Sequence, residues 1–474
     1  MPGRVLSVAS EAVPLVKTGG LADVVGALPA ALAPHGWEMR TLVPAYRGLV
    51  KAAAARDVLW STPDLFGAPA RVLAGRKDGF DLLLLDAPHL YDREGGPYGN
   101  PHDYPDNAIR FAALGQVGAR IAQEGLTDGW RPQVLHAHDW QAGLAPAYLR
   151  YAGSDVKTLI TIHNIAFQGV TPAVMLGTLG LPFGAFNSDG FEYWGQISTL
   201  KAGLVTADAI TTVSPTYADE LMRDAFGMGL QGVIAKRAGD MHGILNGIDD
   251  TVWNPETDPA ITPYSATKMK GKAANRTALM AEFGLSGIKG PLAIVVSRLT
   301  EQKGIDLLCE TASGFVADGG GLAILGTGEP WLQDRLHGLA GAHPGRIGLR
   351  IGYDEALSHR MFAGADAVLV PSRFEPCGLT QLYGLRYGAV PLVAATGGLA
   401  DTVVNANEMG RDVATGVQFH PVDALALAQA LRRLTALYKD DAGWKKLQKR
   451  GMTQQLGWAR SSARYAALYE SLMS

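Results

Sequence analysis

The chain has 474 residues, more than one hydrophobic core usually serves, and this predicts two domains. Its 42 Lys+Arg against 45 Asp+Glu leave a formal charge of −3, which gives a nucleic acid or a membrane surface nothing to recognise electrostatically. Only Cys309 and Cys377 carry thiols, too few for a disulfide framework and in keeping with a reducing cytosol.

In chain order, the N-terminal segment lacks the layout of a secretory signal, because Glu11 interrupts its short apolar run. No apolar run approaches the roughly eighteen residues of a membrane span. Short apolar runs at 4–10, 80–88, 133–139, 157–164 and 209–214 predict strands buried on both faces, most of them followed by helical spacing. Leu21, Val24, Val25, Leu28 and Leu32 share one face of the first such helix, which Pro29 is expected to kink or shorten. Residues 91–107 are too aromatic for a disordered linker and predict a surface loop with a task. A polar stretch at 249–276 holds three prolines and little periodicity, and marks a seam. Beyond it a second strand series occupies 291–297, 321–326, 347–352, 367–372 and 390–395, alternating with helices such as 328–341 and 355–363. Residues 457–473 close the chain as a helix.

These elements predict an α/β chain of two doubly wound Rossmann-like domains facing a central cleft, with ligands beyond the carboxyl ends of the strands. The expected boundaries are 1–250, 251–456 and a closing helix at 457–474.

Four stretches carry candidate chemistry. In the first, Lys17, Gly19 and Gly20 join a strand to a helix, where bare backbone can approach an anion and the lysine adds a mobile charge. The plain alternative is a helix-starting turn with a solvated lysine. In the second, Arg298 and Lys303 lie just past a strand, a spacing that suits a diphosphate, or else two surface charges. Gly328 adds another glycine turn after a strand. The third places Glu375 ahead of a helix expected to start near Gly378, so that the amides of Gly378, Leu379 and Thr380 face an anion. Cys377 lies in this stretch without a local activating base, which favours a packing or contact residue over a nucleophile. In the fourth, His136 and His138 share a strand face that ends in Asp139 and Trp140, and a neighbouring strand ends in His163, Asn164 and Gln168. That histidine spacing matches no standard zinc pattern, so polar contacts to a ligand are preferred, with His136 open to a role in the core. Phosphate-like and polar elements at strand ends in both domains suit a nucleotide-linked substrate.

The stretches 17–24, 136–143, 161–164, 244–249, 297–304 and 375–382 closely resemble those of the bacterial glycogen synthases and plant starch synthases. These are retaining glycosyltransferases of the two-domain GT-B fold, and the likeness runs along nearly the whole chain. It implies transfer of glucose from ADP-glucose to the non-reducing 4-hydroxyl of an α-1,4-glucan such as glycogen, in the cytoplasm, with no cofactor and no metal. By position, Lys17, Gly19 and Gly20 would meet the donor diphosphate and sugar from the first domain, and Arg298 and Lys303 would meet the diphosphate from the second. Glu375, Cys377 and Gly378, Leu379 and Thr380 would form the donor-glucose and phosphate platform, and Tyr353 would stack on adenine. Asp139, His163 and Asn164 would line the glucose pocket, with Tyr98, Gln168, Asn246 and Gly328 as further contacts. Many GT-B enzymes carry a second glutamate eight residues after the first; Tyr383 stands there, as in the glycogen synthase branch.

Four rivals remain at this level: a nucleotide-sugar epimerase, a UDP-glucose transferase with a small acceptor, a silent glucan-binding protein and a glucan phosphorylase. Lys303 and Glu375, whose loss would mark the silent protein, are both present. A phosphorylase would need a lysine-bound pyridoxal phosphate.

Overall fold

The strand Gly3–Val8 is the structural centre of the first half of the chain, with Val5, Leu6 and Val8 all fully buried. A computed structural model describes residues 2–77, 79–100, 102–407, 410 and 412–474. It divides into two units, Met1–Gly247 with Trp458–Ser474, and Ile248–Gly457.

In the first unit nine strands form one sheet. Their order is Met241–Gly243, Ala209–Thr212, Lys157–Ile162, Val134–His138, Gly3–Val8, Trp37–Pro44, Phe80–Asp86, Ala68–Lys77 and Asp57–Leu65. Gly3–Val8 pairs in parallel with Trp37–Pro44 on one side and with Val134–His138 on the other. The winding therefore reverses between Gly3–Val8 and Val134–His138, the position at which doubly wound sheets open a crevice. The sheet is not wholly parallel: Asp57–Leu65 and Ala68–Lys77 form an antiparallel hairpin that continues antiparallel onto Phe80–Asp86. Phe66 and Gly67, both at positive φ, make its two-residue turn. Sequence reading for doubly buried runs passes over this hairpin because Asp57–Leu65 alternates exposed and buried residues, as an edge does.

The helix Gly20–Leu32 contains Pro29 and continues to Leu32, so the expected shortening does not occur. Full burial of Leu28 and Leu32 on either side of the proline outweighs its one missing hydrogen bond. The closing helix Ala459–Met473 packs on this unit, placing Tyr465, Leu468 and Tyr469 among Val5, Val24, Leu28 and Trp37.

The second unit holds six parallel strands in the order Ile347–Ile351, Gly321–Gly326, Leu292–Val296, Ala367–Val370, Val390–Ala394 and Val417–Phe419. Along Leu292–Val296 the side chains alternate between two cores, Ala293 and Val295 on one face, Leu292 and Ile294 on the other. Both faces are covered by helices, which is why the strands read as continuous apolar runs. Here the reversal lies between Leu292–Val296 and Ala367–Val370. The stretch expected to be an irregular seam contains the start of helix Lys270–Glu282, and Trp253 within it is stacked between His359 at 3.9 Å and Tyr383 at 3.8 Å.

Candidate active site

Each unit gathers candidate residues at its own reversal point, whereas Asn246, Gly328 and Tyr353 follow other strands. In the first unit, Val134–His138 delivers Asp139 at φ 53, a left-handed conformation that aspartate tolerates better than most residues. Its carboxylate accepts the amides of His163, at 2.6 Å, and Asn164, at 3.4 Å, which ties the ends of two adjacent strands together. Burial raises the Asp139 carboxyl to about 7 despite these two amides, so near neutrality it holds its proton about half the time.

Three histidines back this carboxylate. His136 Nδ1 meets the Tyr469 hydroxyl at 2.8 Å and Nε2 meets Thr161 at 2.6 Å, so His136 is a satisfied core residue. His138 meets Ser7 at 3.2 Å and His163 at 3.0 Å. Burial lowers His136 and His163 to about 3 and also lowers His138 well below its ordinary value, which keeps all three rings neutral. Both ring nitrogens of His136 and of His138 are thus engaged within the protein.

Lys17, expected to add a mobile charge, has its ammonium 2.8 Å from Asp23 and remains half-exposed. Gly19 and Gly20 are exposed, and a Cβ on either would meet nothing within 4 Å. Gly19 is extended at φ −156 and Gly20 begins the helix, so neither backbone angle nor packing demands glycine here. Fold stability alone therefore leaves this pair unexplained.

Sequence reading saw Glu11 only as a break in an apolar run. The fold buries its side chain and uses it to accept the Thr18 amide, the Thr18 hydroxyl at 2.6 Å and the Tyr98 hydroxyl. Tyr98 also meets Ser10 at 2.8 Å and receives a hydrogen bond from Gln141 at 3.1 Å. Its loop is held by fully buried Arg110, whose guanidinium donates to the carbonyls of Leu90 at 2.7 Å and Pro97 at 2.8 Å and to Asn107 at 2.6 Å. Glu11, Ser10, Gln141 and Arg110 are the residues the sequence analysis missed; a carboxylate just past a buried strand was the available signal. The buried amide oxygens of Gln141, Gln168 and Asn246 find no donor among the described residues.

In the second unit, Gly304 at φ 68 lets the turn after Leu292–Val296 lie on the Pro371 carbonyl, only 2.0 Å from where a Cβ would stand. That contact carries Lys303 to Glu375, with Nζ to Oε2 at 2.5 Å, while Ser372 donates to the same oxygen at 2.9 Å. Arg298 is exposed at the same strand end and reaches Gln302 at 3.1 Å. Gly397 and Gly398 pack directly beneath, so that a Cβ on them would fall 2.0 Å from the Glu375 carbonyl and 2.2 Å from that of Cys377. Cys377 is buried and is not part of a disulfide.

The helix expected near Gly378 starts at Thr380, with Leu379 as its cap and Gly378 at φ 72. Gln381 holds this turn by donating to the carbonyls of Cys377 at 3.0 Å and Gly378 at 2.8 Å. Gly328 has a packing reason, since a Cβ would sit 2.2 Å from the Leu299 carbonyl. Tyr353 is 77% exposed and donates to Glu355 at 2.9 Å, and no other candidate residue shares that hydrogen bond.

Comparison with known proteins adds independent findings. A family model for the starch synthase catalytic domain matches residues 4–236, and one for glycosyl transferases group 1 matches residues 283–450. The glycogen synthase of Cereibacter sphaeroides is 62% identical across all of this chain and 99% of its own length. That of Paracoccus denitrificans is 60% identical across 99% of both. The structure of the starch synthase IV catalytic domain from Arabidopsis thaliana, bound to ADP and acarbose, superposes with a TM-score of 0.89 at 29% identity, covering 100% of this chain and 99% of that one. Sucrose-phosphate synthase from Thermosynechococcus elongatus shares the fold, with a TM-score of 0.61 at 20% identity over 99% of each chain.

Fold and matched regions together define a retaining glycosyltransferase of the GT-B class. Within that class the chain belongs to the glycogen synthase family. Its substrates are accordingly a nucleotide sugar and a glucan, and no described helix is long and apolar enough to cross a membrane.

Proposed function

We propose that the chain transfers glucose from ADP-glucose to the 4-hydroxyl at the non-reducing end of an α-1,4-glucan, building glycogen in the cytoplasm. The observation that carries this reading is the Lys303–Glu375–Ser372 cluster beside exposed Arg298 at the reversal point of the second unit. An ammonium has three N–H groups, so one can remain on Glu375 while the others meet phosphate oxygens, and Arg298 adds a planar fork. These two cations would stabilise the charge that grows on the departing diphosphate. The leaving phosphate would then take the acceptor proton while the new bond forms on the same face of the sugar, which calls on neither a protein nucleophile nor a metal. Glu375 and the turn from Cys377 through Gly378 and Leu379 to Thr380 would hold the donor sugar and its phosphate. Asp139, His163 and Asn164 would hold sugar hydroxyls in the first unit, with Tyr98, Gln168 and Asn246 as further contacts. Tyr353, exposed on the second unit, would offer its ring to adenine.

Gly19 and Gly20 fit this reading because a ligand's close approach explains what the fold does not. Gly19→Ala should leave the melting temperature within about a degree while raising the KM for ADP-glucose about tenfold, since the added methyl group meets only the donor. Unchanged donor kinetics would remove this loop from the site. The function itself is tested by incubating the protein with glycogen and either labelled ADP-glucose or labelled UDP-glucose. Label is expected in precipitable polymer from ADP-glucose at a kcat/KM at least about a hundredfold higher than from UDP-glucose, a margin of the size that specific hydrogen-bonding sites achieve. Equal incorporation from both would reject the donor assignment, and none from either would reject the transferase reading.

A further inference from the structure

One exposed aromatic feature of the first unit has no role in the donor chemistry. Strands Glu192–Tyr193 and Gln196–Ser198 form a hairpin whose two-residue turn is Trp194–Gly195. Such turns place both residues at positive φ, for which asparagine and glycine are the usual choices, yet Trp194 takes φ 51. Its indole is 79% exposed, so burial does not repay the unfavourable backbone. Opposite stands Met228, a second non-glycine residue at positive φ, 46, followed by Gly229 at φ 85. A Cβ on Gly229 would lie 3.0 Å from the Tyr193 hydroxyl and 3.2 Å from the Trp194 indole nitrogen. Two strained residues and one obligatory glycine thus hold a bulky aromatic ring out in solvent, the kind of local cost that persists where it serves a function.

The hairpin is also joined to the candidate sugar site. The Met228 carbonyl accepts both the Tyr193 hydroxyl, at 2.7 Å, and the Gln168 side-chain amide, at 3.0 Å. Gln168 is buried, whereas its neighbour Phe167 is 55% exposed. A single carbonyl therefore fixes Gln168 on one side and the Trp194 hairpin on the other.

We propose that the Trp194 hairpin is an acceptor subsite on which a glucan chain stacks as it leads away from the sugar pocket at Gln168. This rests on the reading of Gln168 as a sugar contact and of a glucan as acceptor. The C–H face of a glucose ring is apolar and flat enough to lie on an indole, while its hydroxyls stay in water at the rim, so an exposed, rigid aromatic ring suits a neutral polysaccharide. A polymer extends well past the reacting sugar, so a contact outside the pocket improves binding of long acceptors without touching the chemistry.

Initial rates of Trp194→Ala with ADP-glucose, against glycogen and against maltotriose in parallel, test this. The KM for glycogen is expected to rise about tenfold, with the KM for maltotriose, the KM for ADP-glucose and kcat within about twofold of the parent, as for loss of one aromatic contact. Trp194→Phe should restore most of the glycogen KM. Electrophoresis through gels containing glycogen, without donor, should show the alanine variant less retarded than the parent. An unchanged glycogen KM overturns the proposal. So does equal loss with both acceptors, which would make the hairpin a scaffold for the pocket, and so does a change of oligomeric state on gel filtration with acceptor kinetics unaltered, which would make it a contact between copies. If the parent itself transfers no glucose, the failure belongs to the function and not to the hairpin; the gel measurement, which needs no turnover, then still decides whether Trp194 binds glucan.

Discussion

Lys303→Ala lowers kcat by about a thousandfold while the fold survives, the scale on which loss of one preorganised charge opposite a developing anion is felt. Lys303 has two jobs in the geometry described above. Its ammonium satisfies Glu375 at 2.5 Å, and in the proposed mechanism its remaining N–H groups would meet a phosphate group leaving the sugar. Removing it therefore also leaves Glu375 with Ser372 as its one remaining side-chain hydrogen-bond donor among the described residues. The double variant Lys303→Met with Glu375→Gln tests the packing part: with both charges gone stability should return, whereas turnover should stay low because both residues are assigned to the donor, and recovery of turnover would mean that the pair matters only to packing. Steady-state rates and thermal melts on the three proteins supply the comparison. Near-parental turnover in Lys303→Ala would remove this residue from the chemistry.

The second large effect falls on Asp139. Its carboxyl sits near 7 because burial opposes ionisation more strongly than the amides of His163 and Asn164 favour it. The ionised form is the better acceptor for sugar hydroxyls. In the free enzyme kcat/KM should therefore rise with pH through about 7 and then level, because the working form is the one that has lost its proton. Asp139→Asn keeps an oxygen for the two amides but no longer titrates. It should lower kcat/KM by about a hundredfold or more and abolish that acid limb. A variant whose profile keeps the parental shape would show that another group is responsible. The three neutral histidines behind Asp139 do not produce this limb, since burial places His136 and His163 at about 3 and holds His138 well below its ordinary value.

Much of this arrangement could be read from the residues before any coordinates. Strands buried on both faces declare themselves as uninterrupted apolar runs, and all ten runs identified this way are strands, each within a few residues of its expected bounds. Structure with other periodicities was lost. The hairpin Asp57–Leu65 with Ala68–Lys77 alternates in burial at a sheet edge, and the three-stranded sheet containing Glu192–Tyr193 is too short to leave a pattern. Pro29 does not cut its helix short, because local propensity yields to the tertiary burial of Leu28 and Leu32.

At the site, residue types were legible and pairings were not. Lys303 and Glu375 are each read from sequence as a candidate, for phosphate and for sugar, but nothing in a linear sequence says that their charges meet. Glycine itself was ambiguous: Gly304, Gly328, Gly397 and Gly398 are required by close backbone packing, whereas Gly19 and Gly20 are not. That distinction needs coordinates, and it leaves the first glycine pair without a packing reason.

The most direct test of retaining glucosyl transfer is the anomeric configuration of the product. Maltotriose should be extended by the protein with ADP-glucose, and the new linkage assigned by proton NMR before any equilibration. A newly formed α-1,4 bond, with ADP released in equal amount, is the predicted result. A β linkage, or free glucose appearing in place of a longer chain, would contradict it.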